Sequence, residues 1–176
     1  MDKRKQVVAT NSKIIGFSNK LTRAVIAEIE ETLEDAEKVV KEYVPARFVN
    51  KTLTLIENAL EKEGLEVAFD KKVTRQALNK TASEKVEESE LKELVNEIVE
   101  AVVDEIEEIL EDADEVMDEK QKEIASCDEE KFEVESKLKS IVERKLHAKG
   151  VYVRFSRTAS KRKTIVEKIR EAARKK

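Results

Sequence analysis

Ala101–Glu119 reads AVVDEIEEILEDADEVMDE, and Ala24–Glu42 reads AVIAEIEETLEDAEKVVKE. The two stretches match at 12 of 19 positions without a gap. In both, apolar residues recur every three or four positions, which puts them on one stripe of a helix. Two long amphipathic helices follow from this pair, and the rest of the chain is arranged around them.

A Glu-rich helix can repeat by composition alone, so the flanking sequence has to repeat as well. It does so in two further blocks. Glu57–Phe69 (ENALEKEGLEVAF) and Glu143–Phe155 (ERKLHAKGVYVRF) share Glu, Leu, Gly, Val and Phe at the same spacing. Lys80-Thr81-x-x-Glu84-Lys85-Val86-x-Glu88 corresponds to Lys163-Thr164-x-x-Glu167-Lys168-Ile169-x-Glu171. The three blocks are collinear at offsets of 77, 86 and 83 residues. The expected fold class is therefore mainly α: an internally duplicated, pseudo-two-fold helical bundle with one short β-strand per repeat. Two similar units tend to pack about a pseudo-two-fold axis because one self-complementary surface serves both. The other reading is two independent hairpins that share only a helical pattern.

The expected organisation is a basic N-terminal arm (residues 1–20), a first repeat (21–82) and a second repeat (83–176). In the arm, Ile14, Ile15 and Phe17 are apolar, and Ser18 or Asn19 is a reasonable cap for the helix that follows. That helix, Leu21–Tyr43, carries Leu21, Val25, Ile29, Leu33, Ala36, Val40 and Tyr43 on one stripe. Val44-Pro45 ends it, because proline lacks an N–H and restricts the residue before it. A second helix is expected from a cap at Asn50 to Glu63, with Gly64 terminating it. Leu65, Val67 and Phe69 then alternate with Glu66, Ala68 and Asp70, as in a half-buried strand. Val151, Val153 and Phe155 repeat the alternation. A lone strand cannot satisfy its backbone, so the two copies are expected to pair with each other, or each to form a hairpin with a segment such as Val73–Leu78. A long helix is expected from Ser83 or Ser89 to Glu119 or beyond, with Val102, Ile106, Ala113, Val116 and Met117 inward. After a break near Glu123–Cys127, Asp128 caps a helix to about Ala148, with Phe132, Leu138, Ile141, Val142 and Leu146 inward. A terminal helix over Thr164–Arg174 closes the chain.

Charged residues make up 42% of the 176-residue chain and aromatic residues 4%, the composition of long helices. The net charge of −4 conceals a segregation. Residues 84–119 hold 17 acidic and two basic side chains, whereas residues 154–176 hold ten basic and two acidic. The single cysteine, Cys127, excludes an intramolecular disulfide and fits a reducing compartment. No apolar run approaches the ~18 residues of a membrane span, and no signal-peptide core stands at the start. A soluble cytoplasmic or virion protein is expected.

Catalysis needs nucleophiles, bases or metals held within mutual reach. With one His, one Cys and three Gly, the chain has no P-loop, no dinucleotide fingerprint and no paired cysteines for zinc. Glu143 and His147 share a helical face, but a di-iron bundle needs more histidine than this. The chain reads as a non-enzyme, with no catalytic residues, no metal site, no cofactor and no small-molecule substrate.

The functional candidate is the basic C-terminal segment. Tyr152, Arg154, Arg157, Lys161, Arg162, Lys163, Lys168, Arg170 and Arg174 are the expected nucleic-acid contacts, because clustered Lys and Arg neutralise phosphates without reading base sequence. DNA or RNA is one expected partner. In the alternative, the segment docks on the acidic residues 84–119 of the same chain or another. The protein is then a structural or adaptor subunit that joins a protein partner or further copies of itself.

From Leu21 to Phe69, the order of long helix, short link, short helix, glycine and strand resembles the latter part of a histone fold. Ala59-Leu60 and Gly64 stand where that fold ends its third helix, and a paired-histone chain would accord with the duplication. The sequence departs from the family at three points. No first short helix is evident, Ala46-Arg47-Phe48-Val49-Asn50-Lys51-Thr52 replaces the Arg-Lys-Thr loop, and the long helices are acidic. No family is assigned on this basis.

Overall fold

The computed structural model describes residues 3–71, 87–125 and 127–157. Helix α1 spans Lys3–Tyr43, α2 Ala46–Lys62, α3 Glu88–Ile124 and α4 Asp128–Ala148. The chain is thus mainly helical. The 41-residue α1 and 37-residue α3 are about 60 and 55 Å long at 1.5 Å per residue.

The long helices lie antiparallel. Phe17, early in α1, carries the ammonium of Lys120, late in α3, 5.5 Å from its ring centroid. At the other end Lys51 of α2 meets Glu88 at the start of α3. Val25, Ile29, Ala36 and Val40 of α1 and Val95, Val102, Ile106, Ala113 and Met117 of α3 are buried. They share one core with Leu53, Ile56 and Leu60 of α2 and with Leu138, Val142 and Leu146 of α4. Each such side chain contributes about 1.5–3 kcal/mol on burial. Hydroxyls that enter the core are satisfied locally. Ser18, Thr22 and Thr52 each donate to the carbonyl four residues back, at 2.6–2.7 Å.

Several expected boundaries are different in the structure. Helix α1 is continuous from Lys3, so residues 3–20, expected as an arm, are part of the first long helix. Ser18 and Asn19 therefore lie inside it, and Ser18 faces the core with its hydroxyl spent on Ile14. Helix α2 starts at Ala46 with Pro45 before it, because proline is well suited to a helix start; Asn50 is interior. The residues compared with the histone loop are thus helical. Cys127, not Asp128, is the residue preceding α4. Tyr43, Val116 and Phe132 are exposed at 72, 41 and 53%, so the apolar stripes are narrower than the periodicity suggests. The expected cap at Ser83, the hairpin segment Val73–Leu78 and the terminal helix Thr164–Arg174 lie outside the described residues.

Gly64 and Gly150 end α2 and α4 with φ of +90° and +86°, a conformation in which glycine carries no Cβ penalty. The chain leaves each helix extended, and the two segments cross. Glu66 N–H donates to Gly150 O at 2.8 Å, and Tyr152 N–H donates to Gly64 O at 2.9 Å. These bonds bracket one antiparallel bridge, Leu65 to Val151. The expected strand in each repeat is not formed: among the described residues there is no strand, only this bridge. The register explains this: with Leu65 opposite Val151, the partners of residues 66–69 would be residues 150–147 at the end of α4, and those of 152–155 would be residues 64–61 at the end of α2, so the ladder cannot lengthen. Beyond the bridge each segment is held on its own helix: Phe69 N–H donates to the Glu57 carboxylate at 2.9 Å, and Phe155 N–H donates to Glu143 at 2.9 Å. The inside–outside alternation survives. Leu65, Phe69, Val151 and Phe155 are buried, while Glu66, Ala68, Asp70, Tyr152, Arg154 and Ser156 are exposed.

Candidate functional site

The extended segment after Gly150 holds the three sequence-predicted contacts that fall within the described residues. Tyr152 points outward and donates its phenol to Glu66 Oε1 at 2.8 Å. Hydrogen bonding to Glu66 first, then partial desolvation and the Glu66 charge, holds that phenol above its usual 10.0. His147 lies against the Tyr152 ring, with centroids 5.3 Å apart. Its Nε2 is 3.0 Å from Val153 O, so the lone histidine supports the crossing. Arg154 is exposed, and its guanidinium forms no ion pair among the described residues.

Arg157 is placed differently. Its guanidinium reaches back fourteen residues to the Glu143 carboxylate, donates to Phe155 O at 2.7 Å, and lies 3.2 Å from Ser140 Oγ. A bidentate Arg–carboxylate contact is among the stronger surface pairs, so Arg157 fastens the segment to α4. A phosphate would have to compete with Glu143 for it. Lys161, Arg162, Lys163, Lys168, Arg170 and Arg174 lie outside the described residues.

Lys139 is a second fastener, which the sequence did not reveal. Its side chain is 1% exposed. The ammonium donates to Glu135 Oε1 at 2.9 Å and to Ser156 O at 2.6 Å. Asp114 and Asp118 of α3 pair with it at 2.8 and 3.1 Å. Burial pulls the Lys139 pKa down, but contacts with Asp114, Glu135 and Asp118 outweigh it and hold the ammonium above its ordinary 10.5. One buried cation thus ties α3, α4 and the base of the C-terminal segment together.

Among the described residues no group of three or more His, Cys, Asp or Glu side chains is arranged to hold a metal ion. No described helix is long and apolar enough to cross a membrane. Compared with protein-family models, curated proteins and solved structures, the chain matches none.

Proposed function

We propose that this chain is a non-enzymatic nucleic-acid-associated protein that contacts phosphates through its basic C-terminal segment, with the acidic helices as scaffold. One observation carries the reading. Tyr152 and Arg154 stand exposed on a segment clamped by Lys139 and Arg157, at the threshold of 23 residues with ten basic side chains. Phosphate neutralisation by such a cluster is independent of base sequence and strongly dependent on salt.

The scaffold is read as a duplicated, pseudo-two-fold pair. Buried positions 14, 18, 25, 29, 36 and 40 of α1 fall, 77 residues on, at buried positions 91, 95, 102, 106, 113 and 117 of α3. In the same way Val49, Leu53, Ile56 and Leu60 of α2 correspond, 86 residues on, to buried Glu135, Lys139, Val142 and Leu146 of α4. The Glu57–Phe69 and Glu143–Phe155 bonds repeat at the same spacing. The extended segments are the remnant of one strand per copy.

Reversing charge in the full chain tests the function. K161E/R162E/K163E is expected to weaken binding of a labelled 20-base-pair duplex or 20-nucleotide RNA at least tenfold in 50 mM salt. It should also flatten the dependence of log Kd on log salt by about two to three. Affinity and slope equal to those of the unsubstituted chain would remove the proposal. A second reading, a structural or adaptor subunit, is favoured by Val7, Val8 and Ile15 on α1, which are 56, 64 and 51% exposed. Under that reading the chain binds no nucleic acid and associates with a protein or with further copies of itself.

A further inference from the structure

The N-terminal half of α1 lies parallel to α4. Lys3 and Gln6 share a hollow with Glu130 and Glu133, and Asn19, Thr22 and Arg23 share another with Lys145, Ala148 and Lys149. Sequence alone keeps these stretches more than a hundred residues apart. Past the acidic start of α4, residues 11–27 contain three basic side chains and no acidic one, and the residues 137–149 beside them contain five basic and one acidic. That one acid, Glu143, is already engaged by Arg157. The fold therefore sets two cationic stretches side by side in a chain of net charge −4.

They converge at a groove of about 540 Å³ between α1 and the C-terminal end of α4. Arg23, Lys145 and Lys149 line it, with Asn19 as a further donor and the buried Thr22 and half-buried Ile26 beside them. Among the described residues none of the three cations forms an ion pair, although Glu30 also lines the groove. Elsewhere Lys41, Lys51, Lys71, Lys120, Lys139 and Arg157 all find carboxylates. Three cations around one carboxylate, none of them ion-paired among the described residues, leave a net positive charge that an anion relieves. A second hollow adjoins the first through Ile26, Glu30 and Lys149, and reaches Glu66. Glu66 in turn holds Tyr152. The groove thus opens toward the outward side of the crossing, where Tyr152 and Arg154 stand.

We propose that this groove binds the phosphodiester backbone of a nucleic acid, through Arg23, Lys145 and Lys149. The inference rests on the function proposed above and gives it a second contact surface. Continuity favours a nucleic acid over an acidic peptide. A nucleic-acid strand carries regularly spaced phosphates, so one strand can engage the three groove cations and, beyond Glu66, the exposed Arg154 at the same time.

The test compares three full-length proteins: the unsubstituted chain, R23E/K145E/K149E, and K62E/K92E/K122E, which makes the same charge change away from the groove. Circular dichroism confirms that each is folded. If the groove variant resists folding, R23Q/K145Q/K149Q takes its place. The probes are a fluorescein-labelled 20-nucleotide single-stranded DNA and a 20-residue poly-glutamate peptide, over a salt series. The groove variant is expected to bind DNA at least tenfold more weakly. Its salt slope should be shallower by about two, at roughly 0.7 for each single-strand phosphate that is no longer neutralised. The control is expected to stay within threefold. Equal losses in the groove variant and the control, or no loss in either, overturn the groove while leaving the nucleic-acid reading in place. If the unsubstituted chain binds no DNA, both fall. Poly-glutamate binding tighter than DNA, lost in the groove variant, overturns the phosphate assignment in favour of an acidic protein partner.

Discussion

Val102→Asp and Ile106→Asp are each expected to abolish cooperative folding at 25 °C. Both side chains lie on the α3 face that meets α1, at 4 and 3% exposure. The substitution removes an apolar side chain with about 1.5–3 kcal/mol of burial free energy. It also puts a carboxylate where no donor waits, and an unpaired buried polar group adds several kcal/mol of its own. The sum rivals the ~5–15 kcal/mol total stability of an ordinary domain. Val116→Asp on the same helix is the control. At 41% exposure it should cost under about 1 kcal/mol. Urea unfolding followed by circular dichroism separates the cases, and midpoints within about 0.5 M of the unsubstituted chain for V102D or I106D would remove the packing described for α1 and α3.

Lys139→Ala should cost about 3–5 kcal/mol. It takes the ammonium away from Glu135, 2% exposed, and from Asp114 and Asp118, and breaking a buried pair from one side is strongly destabilising. Replacing both members behaves differently. Under the proposed duplication Glu135 and Lys139 correspond to Val49 and Leu53 of α2, both buried. Glu135→Val with Lys139→Leu therefore restores an apolar pair, while Asp114 and Asp118, 28 and 35% exposed, and Ser156 O can turn to water. The double variant should recover most of the loss, and isosteric replacement of buried pairs can be net stabilising by about 1–4 kcal/mol. The pH dependence has a definite sign. A lysine whose pKa is raised on folding contributes in full below its unfolded value and loses that contribution as pH rises through the folded one. The melting temperature of the unsubstituted chain should fall more steeply above about pH 10.5 than that of E135V/K139L. A double variant as unstable as K139A would contradict the correspondence between the two pairs.

What could be read in the sequence was whatever helical period alone decides. Val25, Ile29, Val102 and Ile106 are inward because a stripe at 3.6 residues must meet another stripe, and Gly64 and Gly150 mark helix ends because a positive φ suits glycine. Caps were less legible. Ser18 is a good cap in isolation, but in a helix packed along its length it turns its hydroxyl to the carbonyl four back. Lys139 was invisible because a lysine reads as solvent-facing, and only the convergence of α3, α4 and the carbonyl of Ser156 makes its burial tolerable. The strand alternation was real, but it could not reveal that Glu57 and Glu143 would take the N–H groups of Phe69 and Phe155. Eight of the nine candidate contacts were chosen by charge density, and Tyr152 by its place on the outward face of the expected strand. Charge density did not foresee that Arg157 would be tied to Glu143, nor that Arg23 would stand beside Lys145 and Lys149. Both are consequences of packing.

The chain after α2 and the chain after α4 are joined by Leu65 meeting Val151 across a single antiparallel bridge, and NMR tests this crossing most directly. In a non-hydrogen-bonded antiparallel pair the α-carbons lie about 4.5 Å apart, so the two α-protons face each other. A strong Leu65 Hα–Val151 Hα cross-peak is expected, with the Glu66 and Tyr152 amides exchanging slowly because they donate to Gly150 and Gly64. No such cross-peak, with both amides exchanging as fast as in an unstructured peptide, would mean that the two halves do not cross.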